Sequence, residues 1–323
     1  MARFRFHRLF HDPYVAVVQN GDIPLVPGIR LAAHEAQGRQ AHLIVRLAWE
    51  STAESIDRLR QTVSHFTALR PNLSFVVMAE SEEAETGYRA AGLDAFVCNA
   101  NAFTDERLFY PTPRPRKAFD AVYNARLVPF KQHWLAARTR RLALVTADFG
   151  VEPEFARKTL TELKDAVAYC NFDSEAGRVR WLSEDKVRIV LDRSWCGLAL
   201  SAVEGAMAAT SEYLLAGLPV VTIPSRGGRA EFFSPDYVAT VAPDPQAVAE
   251  AVERFKTAPP DPVMIRSRTL ERMATHRARL LERLSPMIGQ DALAMAGPSL
   301  WLPQFINKLI KAVVVPDEMV AGP

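Results

Sequence analysis

Four charged residues in the central part of the chain have types and spacings that suit a ligand with phosphate groups and hydroxyls. Arg126 and Lys131 follow the predicted strand 119–125, and Glu204 and Glu212 lie eight residues apart further along the chain. An arginine can donate two parallel hydrogen bonds to a phosphate, and a lysine adds a compact positive charge. A carboxylate repels phosphate but accepts hydrogen bonds from hydroxyl groups. Together these residues predict a site for a diphosphate flanked by hydroxyl-bearing groups.

The stretch that carries the two glutamates is unusually thin. Residues 201–221 read SAVEGAMAATSEYLLAGLPVV, with almost nothing larger than threonine before Tyr213. The first turn of a helix presents unpaired N–H groups and a partial positive charge, which attract phosphate, and small side chains let a ligand approach the backbone. If the whole stretch is helical, its eight-residue spacing advances about 12 Å and returns to within about 80° of the starting face.

Each of these residues also has a plainer interpretation. Ser201 and Glu204 are three apart, which is the spacing of a capping box at a helix start. Glu212 alone reads as an exposed helix residue, and Arg126 and Lys131 alone read as surface charges. The joint pattern favours a binding site, and it favours residues 196–201 as a strand with Glu204 in the loop that follows. Gly217 and Pro219 then mark the helix end and the next strand.

The surrounding sequence predicts two α/β units. In the first, four strands (14–20, 42–47, 73–79 and 94–99) alternate with helices near 25–38, 52–69 and 82–91. In the second, strands at 119–125, 141–147, 196–201, 218–224 and 237–243 alternate with helices at 131–140, 152–166, 183–194 and 244–255, and a basic helical region covers 261–290. This alternation is typical of a parallel sheet with helices on both faces.

A proline-rich segment at 110–117 separates the two units, because prolines and basic residues are typical of linkers. We therefore predict a first domain over 1–113 and a second over 114–290. Residues 291–323 form a predicted C-terminal helical segment whose amphipathic part, 301–311, has two interpretations. It packs back on the domain junction, which we favour, or it makes peripheral contact with a membrane.

Composition and missing motifs exclude several classes of protein. The 323 residues carry a formal charge of +2, so charge gives no indication of nucleic-acid binding. The three cysteines lack the spacing of a zinc site and favour a reducing, cytoplasmic location. Within the cytoplasm, a position at the inner face of the membrane stays open. The sequence has neither an apolar signal segment nor a membrane-spanning run. It also lacks the G-x-G-x-x-G, Walker A, H-E-x-x-H and D-x-D motifs, so we expect neither a cofactor nor a metal.

Four motifs, in the same order as in the family, resemble the retaining GT-B glycosyltransferases, especially those like family 4. EGAMAATSEYLLAGLPVV resembles the E-x7-E segment of that family, and NANAFTDERLFYP at 99–111 is similar to its segment before the interdomain linker. VYNARLVPFKQH at 122–133 is similar to the strand, arginine and lysine pattern, and SRGGRAEFF at 225–233 is similar to the Gly-Gly segment. The resemblance implies two Rossmann-like domains that face a cleft, the N-terminal one reduced.

The resemblance also implies roles for individual residues. Arg126 and Lys131 would hold the diphosphate of a nucleotide sugar, UDP- or GDP-linked, and stabilise the departing nucleotide. Glu204 would face the donor sugar, and Glu212 would bind the nucleotide ribose. The remaining donor-side residues are Gly205, Ala206, Gly227 and Gly228, the first two of which would offer backbone N–H groups to sugar or phosphate. The implied reaction is a metal-independent, hexosyltransferase-like transfer with retention, in polysaccharide biosynthesis.

The acceptor side of the sequence matches the family less closely. Residues 19–28 replace a glycine-rich acceptor loop, whereas on the donor side Ala125 replaces the usual glycine before Arg126. Asn20, Gly21 and His34 are the residues assigned to the acceptor, which the resemblance implies is a glycan or a lipid-linked saccharide. Two alternatives stay open: a nucleotide-sugar epimerase of the same fold, and a non-catalytic nucleotide-sugar-binding partner protein. The oligomeric state does not follow from the sequence.

Overall fold

A computed structural model of the chain describes residues 2–20, 25–47, 51–113, 115–147, 151–289, 309 and 312–320. The strands are β1 (Ala2–Phe10), β2 (Tyr14–Asn20), β3 (Ala41–Leu47), β4 (Leu73–Ala79), β5 (Ala95–Val97), β6 (Phe119–Asn124), β7 (Leu142–Val145), β8 (Val167–Cys170), β9 (Phe172–Asp173), β10 (Arg178–Val179), β11 (Ser194–Ala199), β12 (Val220–Thr222), β13 (Val238–Thr240) and β14 (Ala312–Val315). The α-helices are α1 (Leu25–Ala36), α2 (Ala53–Leu69), α3 (Glu82–Ala90), α4 (Pro153–Glu162), α5 (Glu184–Asp192), α6 (Ala208–Leu215), α7 (Pro245–Thr257) and α8 (Pro262–Ile288).

The chain divides into two compact units, and each contains one six-stranded sheet. The first unit comprises Met1–Asp105 and Met273–Pro323, and the second comprises Glu106–Arg272. In both units strands alternate with helices along the chain, as the sequence predicts. The apolar strands need helices packed on both faces of each sheet. The domain limits predicted at 113 and 290 stay a prediction.

The first sheet has the order β14-β1-β2-β3-β4-β5. Its strands β2 to β5 are parallel, whereas β1 pairs antiparallel with β2 on one side and with β14 on the other. The predicted strands of this unit are confirmed, but the sequence reading missed β1. Phe4 and Phe6 of β1 are buried and alternate with arginines, which is the pattern of a half-buried strand.

The second sheet is parallel throughout and has the order β13-β12-β11-β6-β7-β8. From its first strand, β6, the chain proceeds to β7 and β8 on one side and then returns to β11, β12 and β13 on the other. The strand order therefore reverses between β6 and β11. In doubly wound sheets the space beside the carboxyl ends of two such strands is the usual ligand site.

One predicted helix of the second unit is wrong. Residues 131–140 were expected to be helical, but the segment forms two short 3-10 turns, Pro129–Lys131 and His133–Ala136. Between them Gln132 adopts a left-handed conformation with φ of 51°, which interrupts any α-helix. In addition, the hydroxyl of Tyr123, on strand β6, donates to the carbonyl of Lys131 at 2.5 Å. This carbonyl therefore accepts from a side chain and not from the N–H group of a following helical turn.

The C-terminal part of the described chain belongs to the first unit. Strand β14 pairs Val313 with Phe4 and Val315 with Ala2 of β1. The predicted amphipathic segment 301–311 lies outside the described residues except for Leu309, which is buried. Among the helices that the structure describes, none is long and apolar enough to cross a membrane.

Candidate nucleotide-sugar site

A buried ion pair lies between β6 and β11, where the strand order of the second sheet reverses. Lys131, in the turn after β6, donates from Nζ to Oε2 of Glu204, in the loop after β11. Both residues are less than a tenth exposed. The structure thus brings together two site residues that are 73 positions apart in the sequence.

The loop that carries Glu204 precedes the helix. Strand β11 ends at Ala199 and α6 begins at Ala208, so the two glutamates do not share one helix and the eight-residue helical spacing does not apply. The Ser201 hydroxyl donates to Glu204 Oε2 at 2.7 Å, which is a contact between side chains and not a capping box. The interpretation of Glu204 as a loop residue is confirmed.

The Gly-Gly segment is hydrogen-bonded to the loop that carries Glu204. Arg226 N donates to Ala202 O and Glu204 N donates to Arg226 O, both at 3.0 Å, so the two loops pair like short parallel strands. Gly227 has φ of 97°, and a Cβ atom there would lie 2.0 Å from the carbonyl oxygen of Glu204. Only glycine fits this position, and Gly228 then begins a 3-10 turn.

Glu212 lies on α6 and faces the end of strand β6. Its Oε2 accepts a hydrogen bond of 2.7 Å from Asn124 Nδ2, and the hydroxyl of Tyr213 accepts one of 2.6 Å from Asn124 N. The ring of Tyr213 can pack on β11 because position 197 is glycine: a Cβ there would lie 2.2 Å from the ring. Gly197 thereby fixes α6, and with it Glu212, beside the last residue of β6.

Arg126 and Lys131 share the ring of Phe130. The guanidinium carbon of Arg126 lies 5.6 Å from the ring centre and Lys131 Nζ lies 5.1 Å from it, which are cation–π distances. Burial lowers the pKa of the Lys131 amine; Glu204 opposes this shift, whereas Arg126 and Arg229 add to it. A second anion near Lys131 and Arg126 would relieve the repulsion between the positive charges.

Gly205 and Ala206 lie in the loop between Glu204 and α6, which is where the sequence predicts backbone donors. Gly205 is buried and Ala206 is half-buried. Met207 is the N-cap of α6, and its side chain makes no capping hydrogen bond. The side chain before α6 therefore does not cap the helix, and in the first turn Thr210 N donates to the backbone carbonyl of Met207 at 3.3 Å.

Two buried side chains at this site went unnoticed in the sequence. Arg229 has no exposed surface and contacts Ser201, and His133 packs its ring 4.8 Å from that of Tyr123. Within the described residues neither ring nitrogen of His133 has a hydrogen-bond partner. Burial, with the Lys131 charge, lowers the pKa of His133 from 6.5 to about 3, so this imidazole is neutral.

The acceptor-side residues predicted from the sequence are less well defined. Asn20 is the last residue of β2, and its side chain is not described; Gly21 lies outside the described residues. His34 is exposed in the last turn of α1. Since α1 begins soon after β2 ends and runs about 18 Å, His34 lies away from the carboxyl end of that strand. The structure therefore does not bring His34 together with Asn20.

A buried polar network instead lies at the carboxyl ends of the parallel strands of the first sheet. Arg46 at the end of β3 donates to Glu80 Oε1 at 2.9 Å, and the other carboxylate oxygen of Glu80 accepts from Ala100 N at 3.0 Å. Asn99 Nδ2 donates to the Glu80 carbonyl at 2.9 Å. Gln19, paired in register with Arg46, has a buried Oε1 without a partner among the described residues. These contacts fix the ends of three strands.

Comparison with known proteins identifies similar folds only. No family model matches the chain, and no curated protein matches it significantly. HepE from Anabaena, solved in complex with UDP, is 17% identical with a TM-score of 0.59, covering 85% of this chain and 79% of that chain. Sucrose-phosphate synthase from Thermosynechococcus elongatus is 15% identical with a TM-score of 0.53, covering 88% and 72%. AviGT4, a glycosyltransferase involved in avilamycin A biosynthesis, is 15% identical with a TM-score of 0.52, covering 81% and 89%.

These similar structures are GT-B glycosyltransferases built from two Rossmann-like domains. This chain has the same fold: two α/β units with one six-stranded sheet each, of which the first has only four parallel strands. The fold class predicted from the sequence, including the reduced first domain, is confirmed.

Proposed function

We propose that the protein is a retaining glycosyltransferase that moves a sugar from a UDP- or GDP-linked donor to a glycan or a lipid-linked saccharide. The observation that carries this proposal is the meeting of Lys131 with Glu204 at the point where the strand order reverses, with Glu212 on the adjoining helix. Open α/β sheets bind ligands at such a point. Further support comes from HepE, whose structures contain UDP and UDP-glucose.

In this proposal the cations hold the donor's diphosphate. The Lys131 ammonium has three donors, of which Glu204 takes one, so the amine can bind a phosphate oxygen without losing that partner. Arg126 adds the second cation, the loop residues Gly205 and Ala206 contribute backbone N–H groups, and the first turn of α6 adds its partial positive charge. Charge on the departing nucleotide is then stabilised by groups already in position, and a metal is not required.

The glutamates bind the hydroxyl groups on either side of the diphosphate. Glu204 faces the donor sugar, and Glu212, oriented by Asn124, accepts from the ribose. Gly227 and Gly228 shape the loop that holds Glu204. During transfer the bond between the anomeric carbon and the diphosphate oxygen breaks, and its electron pair stays on the departing diphosphate. The acceptor oxygen bonds to the same face of the sugar, and its hydroxyl proton passes to the departing phosphate oxygen.

The test is a thermal-shift screen against UDP-, GDP-, ADP- and CMP-sugars, followed by product analysis with and without saccharide acceptors. A ligand at 100 times its Kd stabilises the native state by about 2.7 kcal/mol, so one nucleotide class should raise the melting temperature clearly. Transfer must disappear in Glu204→Gln, which keeps the shape of the side chain. If none of the four classes of sugar nucleotide raises the melting temperature, the proposal is contradicted. A sugar product formed without acceptor identifies an epimerase instead, and binding without turnover identifies a non-catalytic binding protein.

A further inference from the structure

Arg229 is a charged side chain in a place where an apolar one would be expected. It is the largest of the side chains that are fully buried among the described residues, and it follows the Gly-Gly turn beneath Glu204. Removing a guanidinium from water costs several kcal/mol, whereas an apolar side chain of similar volume would fill the space without that cost. This cost indicates that the hydrogen bonds of Arg229 have a specific task.

The guanidinium connects the ends of two neighbouring strands. Its Nη2 donates to Thr222 Oγ1 at 2.9 Å and to Ile223 O at 3.0 Å, which lie at the end of β12. Its Nη1 donates to Ser201 O at 2.5 Å and to Ser201 Oγ at 3.1 Å, just after β11. The first pair of contacts ties the guanidinium to the scaffold, and the second pair reaches the loop that carries Glu204.

The contact with Ser201 Oγ sets the direction of a proton. A guanidinium donates but never accepts, so Ser201 Oγ must be the acceptor in this contact. The single hydroxyl proton of Ser201 is then directed to Glu204 Oε2, 2.7 Å away. Lys131 donates to the same oxygen. Among the described residues Glu204 Oε1 has no hydrogen bond, so the carboxylate offers this oxygen to a ligand.

We propose that Arg229 is a positioning residue that acts through Ser201: it fixes the serine hydroxyl as a donor, so that Glu204 keeps Oε2 occupied and presents Oε1 to the donor sugar. The inference rests on the proposed function, because it takes Glu204 as the residue that meets the sugar. Arg229 itself does not touch the substrate.

The experiment is a double-mutant cycle with Arg229→Met and Ser201→Ala, in which the release of UDP from UDP-glucose is measured. Loss of one charge-assisted hydrogen bond corresponds to roughly a 10- to 100-fold effect, so each single variant should lower kcat by about that factor with KM changed less than about threefold. Because Arg229 acts through Ser201, the double variant should be no slower than the slower single variant. Thr222→Val is the matched control, because it removes one partner of Arg229 and leaves Ser201 in place; its kcat should stay within about twofold.

A second readout does not depend on turnover. Binding of UDP-glucose relative to UDP, measured by calorimetry, should weaken by up to about threefold in Ser201→Ala and Arg229→Met, in line with the small change in KM, and UDP itself should bind as in the wild type. If Arg229→Met fails to fold by circular dichroism, Arg229→Lys replaces it, because a single ammonium cannot span Ser201 and Thr222 as the guanidinium does.

The outcomes separate this inference from the proposed function. Additive losses in the double variant, an unchanged kcat in folded Ser201→Ala, or an equal loss in Thr222→Val would each overturn the role of Arg229 while the wild type stays active. A wild-type protein that binds neither UDP nor UDP-glucose, nor any other sugar nucleotide, overturns the proposed function and this inference with it.

Discussion

Lys131 is the residue on which most of the site converges. Its carbonyl accepts from Tyr123, its ammonium donates to Glu204, and the aromatic ring beside it is shared with Arg126. A buried ammonium is costly unless its charge is matched, and Glu204 supplies the carboxylate that pairs with Lys131. An incoming diphosphate would bring further negative charge to the place where Lys131 and Arg126 lie beside one aromatic ring.

Arg126→Ala tests this balance of charge. The variant should weaken UDP binding by roughly 10- to 100-fold, because charge-assisted hydrogen bonds to phosphate are the strong ones, and uridine binding should change by less than about twofold. Calorimetry with both ligands gives the two affinities. Arg138→Ala is the matched control, since Arg138 is an exposed arginine of the same unit that bonds to Gln246. Equal losses for UDP and uridine would remove Arg126 from the diphosphate site.

His133 gives a prediction about pH. Its pKa is about 3 in the folded chain and 6.5 when unfolded, so between these values the unfolded state binds more protons. The unfolding free energy must therefore fall as pH falls below 6.5, by up to about 1.4 kcal/mol per pH unit. His133→Phe should flatten this part of the curve, measured by urea unfolding from pH 7 to pH 4. His34→Gln, at an exposed position, should keep the wild-type slope. A His133→Phe slope equal to that of the wild type would contradict the neutral imidazole.

At the scale of the elements, the strands that apolar runs predict are present, because buried parallel strands carry their signal locally. Strand β1 was not predicted, because its arginines interrupt the apolar run and its antiparallel partner β14 lies at the other end of the chain. The segment 131–140 misled the helix prediction, because its helical pattern is overridden by contacts between Tyr123 and Lys131 that no local rule contains.

The glutamates, Arg126 and Lys131 could be selected from the sequence because their spacing resembles a known pattern. The buried residues that hold these side chains in place could not be selected from the sequence. Arg229 finds its acceptors at the ends of β11 and β12, and Asn124 meets Glu212 across 88 positions of sequence. Such contacts exist only once the sheet has formed, and a buried arginine has no periodicity that distinguishes it from an exposed one.

Gly227→Ala tests whether the paired loops set the position of Glu204. The new Cβ would collide with the Glu204 carbonyl at a φ of 97°, so the variant should lose roughly 1–3 kcal/mol of stability and most of its turnover. Gly92→Ala is the control, because Gly92 has a similar φ of 78° but open space around the site of its Cβ. It should lose less stability, from backbone strain alone, and keep its turnover. Thermal unfolding measures the stability of both variants, and a donor-turnover assay measures their activity. Unchanged turnover in Gly227→Ala would mean that this loop does not position Glu204.

At the scale of the whole molecule, the two units differ in how the chain builds them. The second unit is one continuous segment, Glu106–Arg272, and it contains every donor-side residue of the proposal. The first unit is assembled from two segments, Met1–Asp105 and Met273–Pro323. Its sheet therefore has all six strands only when β14, at one edge, pairs with β1. The sequence predicts two α/β units but not this return of the chain, because pairing over about three hundred residues leaves no local signal.

Val315→Asp tests the contribution of that returning strand. Val315 is buried in the core of the first unit, whereas Val314, its neighbour on β14, is 54% exposed. A carboxylate at 315 should cost about 3 kcal/mol or more, because a charge would enter an apolar core, and Val314→Asp should stay within about 0.5 kcal/mol. Urea unfolding measures both. Because the donor-side residues lie in the other unit, UDP binding to folded Val315→Asp should match the wild type. Equal stability of the two variants would show that β14 adds nothing to the first sheet, and a selective loss of UDP binding in Val315→Asp would contradict a donor site built from the second unit alone.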